Sequence, residues 1–71
     1  MEITVNGTKL NMFDGACVKN AMMRVFIRQD IPLDKMDDIT VHDSYGHELD
    51  LDAPLRDGQH ITFSLTSEQD N

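Results

Sequence analysis

FDGACVKNAMMRVFIRQ, residues 13–29, is the one stretch of this chain long and periodic enough to form a helix. Val18, Ala21, Met22, Val25 and Phe26 recur at the spacing of one stripe on a 3.6-residue helix. At roughly 100° per residue they fill an arc of about 140°, and the helix is predicted to begin close to Cys17. On the opposite side Met23 and Ile27 fall together, with Lys19 on one flank and Arg24 and Arg28 beyond. Solubility alone calls for polar residues there. Two readings stay open: the following loop, with Ile31, Leu33 and Met36, folds back over Met23 and Ile27, or these residues form a patch for a partner.

Outward from this helix the pattern has period two, so one helix must be covered by one sheet. Ile3 and Val5 alternate with Thr4, and Leu10 and Met12 alternate with Asn11. Between them Asn6-Gly7 accepts the positive backbone angles of a type I′ turn, which predicts a two-residue hairpin. Ile3, Val5, Leu10 and Met12 then share the helix-facing side, and Thr4, Lys9 and Asn11 take the other. Asp14-Gly15 breaks the second strand. After the helix, Pro32 and the acidic residues 30, 34, 37 and 38 mark a loop. Ile39 and Val41 face inward from the next strand, and Leu49 and Leu51 from another entered through Gly46. Leu55 plugs the edge of the core. Asp57-Gly58 turns the chain into a last strand, His60 to Leu65, with Ile61, Phe63 and Leu65 inward. Residues 66–71 read as a flexible polar tail, leaving a single domain over 1–65.

Seventy-one residues bound the possibilities. A domain of this size buries a small share of its surface, and a deep catalytic cleft would consume its core. Cys17 is the only cysteine, so no internal disulfide forms, and no CxxC or HxxxH spacing suggests zinc. No cofactor or metal is expected. A lone thiol and the lack of a signal-peptide pattern fit a cytoplasmic monomer, and the apolar run Val25-Phe26-Ile27 is far too short to span a bilayer. Thirteen acidic against six basic residues, a net charge of -7, oppose nucleic acid and anionic membranes. The charge serves solubility, or meets a basic partner.

The histidines invite a metal reading, which strand parity opposes. His42 faces away from Ile39 and Val41, whereas His47 shares the side of Leu49 and Leu51. His42 and His60 share the open sheet face without a placed third ligand. With Thr4, Lys9, Asn11, Thr40, Thr62 and Ser64 they make that face polar, as a solvated face would be.

The order hairpin, helix, two short strands and a last strand, ββαβ(β)β, resembles the α+β class β-grasp (ubiquitin-like) fold. The resemblance is closest to its sulfur-carrier branch: thiamine-biosynthesis sulfur carriers, molybdopterin-synthase small subunits and the related TGS domains. The matching pieces are Ile3-Thr4-Val5-Asn6-Gly7, then Asp14-Gly15-Ala16-Cys17-Val18 leading into Ala21, then Ala53-Pro54-Leu55-Arg56-Asp57-Gly58-Gln59-His60-Ile61. The resemblance implies a mixed four- to five-stranded sheet with parallel first and last strands and one crossing helix. Sulfur carriers end in Gly-Gly, whose carboxylate becomes a thiocarboxylate. This chain reads Ser67-Glu68-Gln69-Asp70-Asn71, with glycines at 7, 15, 46 and 58. The expectation is therefore a non-catalytic interaction module with a protein partner, its candidate surface Lys19, Met23 and Ile27. A degenerate sulfur carrier and a TGS-like domain binding a small ligand are the alternatives. Cys17 stands where the family commonly has a threonine or serine cap. A thiolate at a helix N-terminus is stabilised by backbone N–H groups and the helix dipole, which makes Cys17 a candidate reactive thiol, with a small, mediocre cap as the other reading.

Overall fold

Asn6 and Gly7 have φ of 49° and 85°, both in the left-handed region that a two-residue turn of the primed kind requires. They join β1 (Glu2–Val5) to β2 (Thr8–Asn11), antiparallel with Ile3 opposite Leu10 and Val5 opposite Thr8. The computed structural model describes residues 1–65, a compact α+β domain with a mixed sheet. The polar tail read over 66–71 lies outside the described residues.

The helix α1 spans Val18–Arg28 and buries Val18, Ala21, Met22, Val25 and Phe26, the five residues of its apolar stripe. Strands β3 (Ile39–Asp43), β4 (Glu48–Leu49) and β5 (His60–Leu65) complete the sheet in the order β2-β1-β5-β3-β4. β1 and β5 run parallel at its centre, Thr4 beside His60 and Val5 beside Ile61. β5 pairs antiparallel with β3 on its other side. Ile3, Val5, Leu10, Met12, Val41 and Ile61 face the helix and are buried. Leu55 is also buried.

Asn6 does more than turn the chain. The Phe63 N–H donates to its Oδ1 at 2.9 Å, and its Nδ2 donates to the Phe63 carbonyl at 3.3 Å. The side-chain amide thus imitates one further residue of β1. It extends the parallel ladder begun by Thr4 N–H to Gln59 O (2.9 Å) and Asn6 N–H to Ile61 O (3.0 Å).

Four expectations need correction. The segment 30–38 is not an irregular loop: Leu33–Asp38 forms a 3-10 helix opened by Pro32, whose carbonyl accepts the Lys35 N–H. Met36, one turn after Leu33, drops into the core. The strand read through Leu51 stops at Leu49, because the Leu51 carbonyl is taken by the helix at Lys19 N–H (2.8 Å). Leu65 is 41% exposed. The last buried helix residue, Phe26, meets Phe63 at 5.8 Å between ring centroids, so Leu65 lies one layer past the helix. Finally, Met23 and Ile27 are not equivalent: Met23 packs partly buried against the core, while Ile27 is 65% exposed.

The Asn6 amide bonds give a test. Asn6→Gly keeps the turn's backbone freedom and removes both bonds to Phe63, so urea unfolding should show a loss of about 1 kcal/mol. Thr8→Ser, on the exposed side of the same turn, should stay within about 0.5 kcal/mol. An equally mild effect at Asn6 would mean that water replaces the amide without cost.

Candidate functional site

Two regions of the surface merit description, and both are set by how the helix begins. Val18 N–H donates to Ala53 O (2.9 Å), Lys19 N–H to Leu51 O (2.8 Å), and Leu55 N–H returns to Ala16 O (3.0 Å). Amides at the start of a helix have no partner within it. Here the β4–β5 connection supplies the partners. Cys17 stands at the cap position, where its own N–H donates to Asn20 Oδ1 at 2.9 Å. Its Sγ donates to the same oxygen at 3.2 Å. Of the N–H groups at this helix start, those of Val18 and Lys19 are spent on Ala53 and Leu51, while Asn20 and Cys17 form a reciprocal capping box.

Held against the helix in this way, the connection leaves a cleft of about 500 Å3 between itself and the β3–β4 turn. Tyr45, Pro54, Arg56, Asp57, Gln59 and His60 line it, with Asp43 at the turn. Most of its polar groups are occupied in building the walls. Asp43 Oδ1 accepts the N–H groups of Tyr45 (2.9 Å) and His47 (3.0 Å), and Oδ2 lies 3.5 Å from His47 Nδ1. These bonds, the His47 N–H first, hold the Asp43 carboxyl below its ordinary pKa. Asp57 Oδ1 accepts the Glu2 N–H at 2.7 Å, and Gln59 Oε1 accepts the Arg56 N–H at 2.9 Å. Both acids thus hold backbone in place through their Oδ1 atoms.

The sequence pattern Asp43-Ser44-Tyr45-Gly46 is the signal that could have located this turn, because an aspartate accepting amides two and four residues on, with glycine at φ 83°, is turn chemistry. The Asp43 role was missed because the strand pattern ended there.

The second region is the outer face of α1. Residues four apart on a helix stack in rows. Lys19, Met23 and Ile27 form one row, and Asn20, Arg24 and Arg28 the next. Ile27 stands at the apex opposite the buried stripe. Arg24 reaches over β2, its Nη1 3.4 Å from the Asn11 carbonyl. The Lys19 and Arg28 side chains make no hydrogen bond or ion pair among the described residues. The 3-10 helix lies against α1, yet Ile27 is left uncovered.

The histidines are spread apart. His42 is opposite Thr62 and Glu48, on the open sheet face with His60, while His47 sits in the turn with its ring beside Tyr45. Among the described residues no group of three His, Cys, Asp or Glu could hold a metal ion, and no helix is long and apolar enough to cross a membrane. Comparison with protein-family models matches none, and comparison with curated proteins likewise gives no match.

The Asp43 geometry predicts a pH dependence. Its carboxyl has a lowered pKa in the folded chain, so its contribution to the turn is complete above about pH 4 and fades as the pH falls through the lowered value. In an NMR titration the Tyr45 and His47 amide resonances should move together, with a midpoint below that of an ordinary aspartate. Asp43→Asn keeps an oxygen acceptor and should leave both resonances still. Movement in the variant would assign the titration to another group.

Proposed function

We propose that this chain is a non-catalytic protein-interaction module of β-grasp fold that docks a partner protein through the outer face of α1. The parallel pairing of β1 with β5 and a single helix across a mixed sheet support the β-grasp reading. One observation carries the docking surface: Ile27 is 65% exposed although the chain folds a 3-10 helix against the same α1. An apolar side chain at the apex of an otherwise cationic face is a natural anchor, since interfaces draw most of their energy from a few desolvated residues within a polar rim. Met23, partly buried, forms the floor beside it, and Lys19 the rim.

The polar open face of the sheet supports this choice of surface by contrast. Thr62 and Ser64 are exposed there and offer no apolar anchor. The net charge of -7 supports a protein partner over nucleic acid or an anionic membrane. The single thiol fits a cytoplasmic monomer.

A photo-crosslinking residue placed at Ile27 should yield a discrete protein adduct in native lysate, and one at Thr62 none. Ile27→Asp should abolish capture while changing stability by no more than about 0.5 kcal/mol, since the side chain is exposed. Adducts from Thr62 alone, or capture unaffected by Ile27→Asp, would reject the surface.

A further inference from the structure

We propose that Asn6 is a site of self-modification, at which the Gly7 nitrogen closes on the Asn6 side-chain amide with loss of ammonia, and that the Phe63 backbone restrains this reaction in the folded chain. The argument for the site begins with the nucleophile. A backbone nitrogen attacks only once its proton has left, and an N–H already bonded to a carbonyl gives that proton up slowly. Asn11 is followed by the Met12 N–H, bonded to Met1 O at 2.8 Å, and Asn20 by the Ala21 N–H, bonded to Cys17 O at 3.3 Å. The Gly7 N–H makes no hydrogen bond among the described residues. Glycine also has no side chain to obstruct the approach, and a Cβ placed at Gly7 would meet nothing within 4 Å. Asn6 and Gly7 are both exposed, so water reaches the pair.

The electrophile is held in another way. Asn6 Oδ1 accepts the Phe63 N–H at 2.9 Å, and Nδ2 donates to Phe63 O at 3.3 Å. These two bonds keep the amide flat and in line with the parallel ladder. Ring closure makes Cγ tetrahedral and expels Nδ2, so it does not proceed with both bonds in place. A free nucleophile thus stands beside a restrained electrophile, and the reaction waits for the end of β1 to open. Asp14-Gly15 and Asp57-Gly58 share the spacing, but an ionised carboxylate is a poor electrophile, and Asp57 Oδ1 is occupied by the Glu2 N–H.

The step needs neither oxidant nor reductant. Gly7 N–H yields its proton to hydroxide and its nitrogen bonds to Asn6 Cγ. The Cγ–Nδ2 bond breaks, and ammonia leaves with a proton from water. Water then opens the cyclic imide at either carbonyl, giving aspartate at residue 6 or an iso-aspartyl link with an added main-chain methylene. Neither product restores the pairing. Aspartate sets a carboxylate oxygen against Phe63 O where Nδ2 donated, and the iso-aspartyl link lengthens a turn built to close the hairpin with two residues. Each opening therefore adds to a permanent change, and conversion at Asn6 records the time this end of the sheet has spent open.

The test incubates the whole chain at neutral pH in heavy-oxygen water, folded and in unfolding urea, and reads label at residue 6 by peptide mass spectrometry. The folded chain should convert at least about fivefold more slowly, because the bonds to Phe63 must first open. In urea Asn6 should convert well ahead of Asn11 and Asn20 and yield both products, and Gly7→Ala should slow it sharply. The folded-to-urea ratio should follow the hydrogen-exchange protection of the Phe63 amide and fall short of that of the buried Ile61 amide. Equal or faster conversion in the folded chain would overturn the restraint by Phe63, as would a ratio as large as the Ile61 protection. Conversion first at Asn11 or Asn20, or a Gly7→Ala chain that reacts as fast in urea, would overturn the site.

Discussion

The structure depends on two amides at the start of the helix α1. Val18 and Lys19 N–H groups have no partner inside α1, and the carbonyls of Ala53 and Leu51 accept them at 2.9 and 2.8 Å. A side-chain cap of the usual kind would satisfy one such group and leave the β4–β5 connection unattached. Because backbone carbonyls do it, the connection is stitched to the helix, and Leu55 N–H to Ala16 O closes the stitch from the other direction. Leu55 is thereby buried, and the chain is delivered to β5 beside β1 in the register that pairs Thr4 with His60. In a domain of this size, stabilised by a margin of about 5–15 kcal/mol, a loop that both caps the helix and sets the register of the central strand couples local and long-range order.

The same stitch explains the character of the surface around it. The connection is held 51–55 against α1, so its remaining residues, 56–59, stand away from the β3–β4 turn and open the cleft. Asp43 and Asp57 fix the two walls by accepting backbone amides at their Oδ1 atoms. At the helix start, the Cys17 side chain pairs with Asn20, through its Oδ1 and its backbone N–H, while the Val18 and Lys19 amides go to the connection. The arrangement spends its polar groups on architecture.

Most of this fold was legible in the sequence because its signals are local and periodic. The stripe Val18, Ala21, Met22, Val25 and Phe26 needed only the helical repeat, and Asn6-Gly7 needed only turn chemistry. What escaped has a different origin. The second role of Asn6, as a substitute for a strand residue against Phe63, links positions 57 apart and has no local trace. The truncation of β4 at Leu49 follows from competition for the Leu51 carbonyl, which the helix wins. The 3-10 helix was hidden because Pro32 and a run of acids read as loop, while the residue that decides its geometry, Met36, is a lone apolar contact. Met23 and Ile27 looked alike because helical spacing places both outside the stripe; their burial depends on what lies beside each, and one turn of displacement separates a covered side chain from an open one.

The outer rows of α1 carry more information than the inner one for this reason. Five inward residues meet the demands of the core, and the fold then constrains the remaining positions only through helix propensity and solubility. In a chain with thirteen acidic residues, those demands are most simply met by glutamates spaced four from lysine or arginine, which would stabilise the helix by a few tenths of a kcal/mol per pair. Instead Lys19, Arg24 and Arg28 stand without an acidic neighbour on the helix, and Ile27 occupies the most exposed position between them. Arg24 and Arg28 fall one turn apart in like charge, which costs stability rather than adding it. Arg28, in the last turn, is favoured by the helix dipole, whereas neither core nor capping calls for Ile27 at the exposed apex, the position on which the proposed docking surface rests.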